Sequence, residues 1–201
     1  MRLFYSFISY LFHPILIPIA GTLAYFLITP RFSTPAFESG NILPIFILTV
    51  IIPIISFLIL KNIGLVNSIS MPEIKERKYP YFIGIALLLI IIFKVIPNNY
   101  TSELYYYFIG LVAASFTSLL LLFMNFKSSM HLMGMGSLFM FLVSLSIHFE
   151  INIIIALSVF ILATGIVATS RLYLRAHQKS EVIVGFLIGV LTQLFTIKFW
   201  L

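Results

Sequence analysis

The stretch ILPIFILTVIIPIISFLIL, Ile42 to Leu60, runs for nineteen residues with no charge and only two hydroxyls. A hydrocarbon core about 30 Å thick asks for roughly 17–25 apolar residues per helix, so this stretch reads as a membrane-spanning helix. Pro44 falls near its start, where a missing backbone donor is harmless. Pro53 is internal and predicts a kink. Upstream, about Phe4 to Ile28 forms another apolar segment, with His13, Pro14 and Pro18 predicting a break inside it. Polar residues and two prolines around Arg31 to Asn41 read as the connection.

Five more segments follow. They are about Tyr81–Ile96, ended by Pro97, then Leu104–Phe123, Leu132–Ile147, Ile151–Thr169 and Val182–Phe199. Lys94 is placed to snorkel to headgroups, Tyr105, Tyr106 and Tyr107 to sit at an interface, and Trp200 likewise. The expectation is an all-α polytopic transmembrane bundle of about seven spans, or six if the first segment does not cross fully. Without an internal repeat or a low-complexity linker, residues 1–201 read as one integral membrane domain.

Composition agrees. Hydrophobic residues make up 61% and charged residues 9% of the chain, against roughly 25% charged in soluble domains. A soluble helical protein needs polar stripes, and a β-barrel needs short alternating segments; neither pattern runs through this chain. The first segment is apolar from Leu3 with no basic region beyond Arg2, which reads as a retained helix, not a signal peptide. There is no cysteine, which excludes thiol catalysis and disulfide support.

Seven spans put nine of the twelve cations on one face: Arg2, Lys61, Lys75, Arg77, Lys78, Lys127, Arg171, Arg175 and Lys179. Arg31, Lys94 and Lys198 fall on the other. Positive-inside topology accounts for such a bias, and so does attraction of an anionic substrate or headgroup. Nucleic acid is excluded as a partner, because the charge decorates short loops and forms no basic domain. The loop charges argue for a cytoplasmic basic face in an inner or cytoplasmic membrane, with the extracytoplasmic face as the open alternative.

Three polar clusters return to that face: Met71–Pro80, Lys127–His131 and Ser170–Glu181. Two histidines, a carboxylate and fixed cations suit phosphoryl transfer. One imidazole attacks phosphorus, a carboxylate holds its other nitrogen, and a second imidazole protonates the leaving oxygen. Cations hold the equatorial oxygens. This chemistry needs no metal and no cofactor, and His131, His177 and Glu181 lack the tight spacing of a metal site. His13 beside Pro14 reads as structural, His148 falls on the opposite face, and Gly134 and Gly136 read as a close helix contact.

Ser170, Arg171, His177 and Glu181 match the spacing of a serine–arginine, histidine and aspartate motif, with Glu in place of Asp and Gly185 one turn later. Ser129-Met130-His131 stands where that motif's partner reads Pro-Ser-Gly-His, with Ser128 for proline and Met130 for glycine. Arg77 and Lys78 precede Pro80, where a lysine and an Arg-Pro pair are expected. Over about Arg77 to Gly189 the chain thus resembles the type 2 phosphatidic acid phosphatase superfamily of membrane phosphatases. The resemblance implies that His177 is the nucleophile, Glu181 its orienting carboxylate and His131 the general acid. It implies that Arg171, Ser129 and either Arg77 or Lys78 bind the phosphate of an anionic membrane lipid. Two other readings stand beside it. One is a catalytically silent relative that binds or moves anionic lipid. The other is a small carrier or channel, for which deep intramembrane charges are expected and few are present.

Overall fold

The structure, a computed structural model, describes residues 1–30, 33–68, 71, 73–96 and 101–201. Arg31, Pro72 and Pro97 lie outside the described residues. Among the described residues the elements are helical: α1 (Arg2–Leu11), α2 (Ile17–Ile28), α3 (Pro35–Phe46), α4 (Ile52–Asn62), α5 (Ile74–Ile90), α6 (Ser102–Phe123), α7 (Met130–His148), α8 (Ile154–Tyr173) and α9 (Lys179–Ile197). Several join into continuous rods, giving seven that are long and apolar enough to cross a membrane.

Prolines explain where the boundaries moved from expectation. The second rod begins at Pro35, not near Ile42, because Thr34 caps it: its hydroxyl accepts from the Phe37 amide at 3.3 Å. Pro44 is therefore internal. A π turn over Ile47–Ile51 then precedes Pro53, with the Ile52 amide reaching back to the Ile47 carbonyl. Such a wider turn absorbs the bond that a proline removes. The third rod begins at Ile74, not Tyr81, and keeps Pro80 inside its second turn. Only one backbone bond, to the Glu76 carbonyl, is given up there. Lys75, Glu76, Arg77 and Lys78 thus ride on a helix and not on a loop.

The first segment breaks as expected. His13 is extended, Pro14–Leu16 forms a 3-10 turn, and helix resumes at Ile17. Its halves pack on different neighbours, α1 on α8 and α2 on α6 and α7.

The core centres on α7, which packs chiefly against α9. Glycines let their backbones touch. A Cβ on Gly189 would lie 2.1 Å from the Met133 carbonyl oxygen, and one on Gly136 would lie 2.4 Å from that of Phe186. Between helices immersed in lipid, close packing of this kind replaces the hydrophobic effect as the main attraction. Tyr107, expected at an interface, is instead fully buried. Its hydroxyl donates to the Ile17 carbonyl at 2.9 Å, its ring stacks on Phe141 at 4.2 Å, and its carbonyl accepts from Gln193 at 3.0 Å. On the far side from the basic clusters, His148 Nε2 lies 3.3 Å from the buried Glu103 carboxylate, which also accepts from the Tyr25 hydroxyl.

Replacing Gly189 by Ala should lower stability by about 1–3 kcal/mol, because the methyl meets backbone that cannot yield. Gly165→Ala, which meets nothing within 4 Å, should be neutral or stabilising by up to about 1 kcal/mol. Thermal unfolding of both variants in detergent checks the contrast.

Candidate functional site

Four helix ends converge. The first turn of α5 brings Arg77, the start of α7 brings Ser129 and His131, the last turn of α8 brings Arg171, and the start of α9 brings Glu181. His177 lies in the turn between α8 and α9. That turn closes α8 with paired bonds, Ala176 amide to Arg171 carbonyl and Arg175 amide to Leu172 carbonyl. This is the Schellman pattern, with Arg175 left-handed at φ 53°. The reversal throws His177 back beneath the end of α8.

The Glu181 carboxylate fixes the His177 ring. One oxygen accepts from His177 Nδ1 at 2.8 Å and from the Gln178 amide at 3.1 Å. The second bond belongs to a capping box at the start of α9. Glu181 therefore serves the helix and the histidine with the same oxygen. A carboxylate accepts, so in the neutral ring Nδ1 carries the proton and Nε2 keeps its lone pair. Burial, and then the Arg77 charge, hold the His177 imidazole well below its usual value; the Glu181 hydrogen bond works against them. The ring is neutral at neutral pH.

His131 Nε2 lies 3.1 Å from the Ser9 carbonyl oxygen, which only accepts, so this nitrogen carries a proton. Arg171 Nη1 donates to the Ser9 hydroxyl at 3.2 Å. Ser9 and Ser170 hydroxyls lie 2.7 Å apart, and that of Ser170 donates to the Tyr5 carbonyl at 2.7 Å. His13 sets its ring edge-on to His131 at 5.5 Å, and its Nδ1 accepts from the Ile15 amide. Arg171, His13 and His177 all act electrostatically on His131, and Arg77 and Arg171 act on His177.

The cluster therefore unites His177, Glu181, His131, Arg171 and Arg77. Arg77 is buried, with Nε donating to the Met71 carbonyl at 2.8 Å. Ser129 joins through its backbone, its amide donating to the Glu181 carbonyl at 3.0 Å. Its hydroxyl does not cap α7; it is buried and, like Arg171 Nε, has no hydrogen-bond partner among the described residues. Lys78 goes elsewhere: its ammonium lies over the Phe123 ring at 4.6 Å. Among the described residues no three His, Asp or Glu side chains come together as a metal-ligand set.

Ser9 and His13 are the members that sequence reading missed. Arg2, Ser6, Ser9 and His13 recur at i, i+4, i+7 and i+11, a polar stripe in an otherwise apolar segment. That stripe was the available signal.

What these elements define is an all-α bundle of seven potential spans with a cationic, three-histidine cluster at one end. No protein-family model, curated protein or solved structure matches the chain.

Because the fold holds His177 neutral, its contribution to stability is present above the unfolded imidazole value of about 6.5 and is lost as pH falls from there through the folded value of about 4. Lowering pH from 7.5 to 5 should depress the unfolding midpoint less in His177→Asn than in the parent. Glu181→Gln removes the contact that favours the imidazolium and should lower the His177 pKa further, read by NMR titration of the ring.

Proposed function

We propose that the protein is an integral membrane phosphatase that hydrolyses a phosphomonoester or pyrophosphate on a lipid through a phosphohistidine. The observation that carries this reading is the His177–Glu181 pair, which leaves Nε2 unprotonated beside Arg77 and Arg171. The partial match of three motifs to the phosphatidic acid phosphatase superfamily supports it.

In this mechanism the Nε2 lone pair of His177 attacks phosphorus, and the bond from phosphorus to the leaving oxygen breaks. Glu181 holds Nδ1–H and balances the charge that grows on the ring. Arg171, Arg77 and the Ser129 hydroxyl stabilise the equatorial oxygens. His131, entering the step as imidazolium, gives its Nε2 proton to the leaving alkoxide. It then takes a proton from the water that attacks the phosphohistidine, releasing inorganic phosphate and freeing His177. The phosphate dianion brings into this cluster of cations the counter-charge that such a proton needs.

His177→Ala should reduce phosphate release from purified protein by at least about a thousandfold. Quenching the parent on a lipid carrying labelled phosphate should trap an acid-labile label on His177. Equal release with and without His177 would overturn the enzyme reading and leave the lipid-binding one.

We place the site on the cytoplasmic face. The exposed cations Arg2, Lys61, Lys75, Arg175 and Lys179 support this. A tag beside Lys127 should be reached from the cytoplasm and a C-terminal tag only from the other side. The reverse pattern would put the chemistry outside.

A further inference from the structure

Helix α1 turns two unlike faces to its surroundings. Outward it shows an apolar stripe: Leu3, Phe4, Phe7 and Leu11 are exposed, Leu3 to 87%. Inward it places Ser9, 7% exposed, between the two donors of the site. Arg171 Nη1 donates to the Ser9 hydroxyl, and His131 Nε2 donates to the Ser9 carbonyl. One residue of this chain thus takes both a cation and an acid proton, the two contacts that a phosphate ester needs.

The way α1 is held fits a part that leaves. It ends at Leu11, and Phe12, the extended His13 and the turn at Pro14 separate it from α2. The anchor of α2, the Tyr107 hydroxyl on the Ile17 carbonyl, lies beyond that break. What holds α1 itself is Ile8, buried in the core, and its packing along α8, together with the Ser9–Ser170 pair, the Ser170 bond to Tyr5, the Tyr5 ring against Tyr173 at 4.4 Å and the two contacts with the site. Its polar contacts are single hydrogen bonds, and Ile8 is the one α1 hydrophobic residue buried in the core. Behind Ser9, Arg171 Nε and the Ser129 hydroxyl are buried with no partner among the described residues. Glu181 is committed to His177 and Gln178.

We propose that α1 is a lateral door and that Ser9 holds the place of the substrate's phosphate. The phosphate of an anionic lipid displaces Ser9 from Arg171 and His131, and α1 swings away from α8 about the His13–Pro14 break. The outward stripe of α1 stays against acyl chains throughout, so the opening faces lipid. The site then takes phosphate from a lipid headgroup and excludes the same phosphate on a water-soluble ester. This inference rests on the cluster being a phosphate site, but not on its hydrolysing anything.

The chain contains no cysteine, so Ser9→Cys with Ser170→Cys introduces one thiol pair, at positions whose hydroxyls now lie 2.7 Å apart. Binding of phosphatidic acid is measured in phosphatidylcholine nanodiscs, with glycerol 3-phosphate as the soluble arm. The oxidised protein should bind phosphatidic acid at least about tenfold more weakly than the same sample after reduction, and glycerol 3-phosphate should bind poorly to both. Separately, Ser9→Ala removes one hydrogen bond that competes with the lipid. It should tighten phosphatidic acid binding by roughly two- to tenfold, and Ser9→Asp, which sets a carboxylate on Arg171, should weaken it. Equal binding by oxidised and reduced protein, no tightening in Ser9→Ala, or glycerol 3-phosphate binding as well as the lipid would each overturn the door. Phosphate release followed in parallel separates the two claims. A parent that binds phosphatidic acid and releases nothing sinks the phosphatase and keeps the door. A disulfide-locked protein that hydrolyses at the reduced rate does the opposite.

Discussion

The close approach of α7 to α9 is the constraint on which the site depends. Gly136, Gly185 and Gly189 remove the side chains that would keep the two backbones apart, and a Cβ on Gly185 would meet the Ser129 carbonyl at 2.6 Å. At that separation the Ser129 amide reaches the Glu181 carbonyl. The turn that carries His131 is thereby pinned to the turn that carries Glu181, and through Glu181 to His177. The two histidines belong to different helical pairs, and no local propensity could bring them together. Their juxtaposition is a packing result, set by three missing methyl groups.

The same packing aims helix ends at one place. The N-termini of α5, α7 and α9 all open into the cluster, and each brings the positive end of a helix dipole. Arg77 and Arg171 add full charges. Such a concentration of positive potential is unfavourable by itself, and Glu181 offsets only part of it. Arg171 and His131 meet a serine hydroxyl and a carbonyl from α1, neutral groups that are weaker partners than a phosphate. The proposed phosphate would therefore be a stronger partner for Arg171 and His131 than the α1 groups that now fill the place.

Much of the architecture was legible because lipid imposes a simple rule, that backbone must bond to itself over about 30 Å. Uncharged runs such as Ile42–Leu60 announce themselves under that rule. Prolines obscured the ends. Pro44 and Pro80 looked like boundaries, but a helix that gives up one bond and keeps its neighbours does not stop there. The His177–Glu181 pair was legible from four-residue spacing at a helix start. Ser9 and His13 were not, since Pro14 shows that the chain turns but not toward what. Tyr107 was misplaced for a related reason: as one of three tyrosines it resembles an interfacial belt, and only Gly21 opposite it reveals a buried slot.

The basic bias of one face had two competing explanations, topology and ligand, and burial separates them. Arg2, Lys61, Lys75, Arg175 and Lys179 are exposed. They fit a topology signal, which acts through loop charge and needs no partner. Arg77 is buried, and Arg171, half-buried, keeps its Nε out of solvent. Topology gives no reason to bury a guanidinium, because desolvation opposes it and an exposed lysine serves as well. The neighbours Arg77 and Lys78 make the point within one turn: the arginine goes inward, donating to the Met71 carbonyl and acting on His177, and the lysine goes to the Phe123 ring. The two cations turned into the cluster are arginines, whose planar forks suit the oxygens of a phosphate. Seven of the nine cations on this face can be assigned to orientation without weakening the case for a phosphate site, because that case rests on the other two.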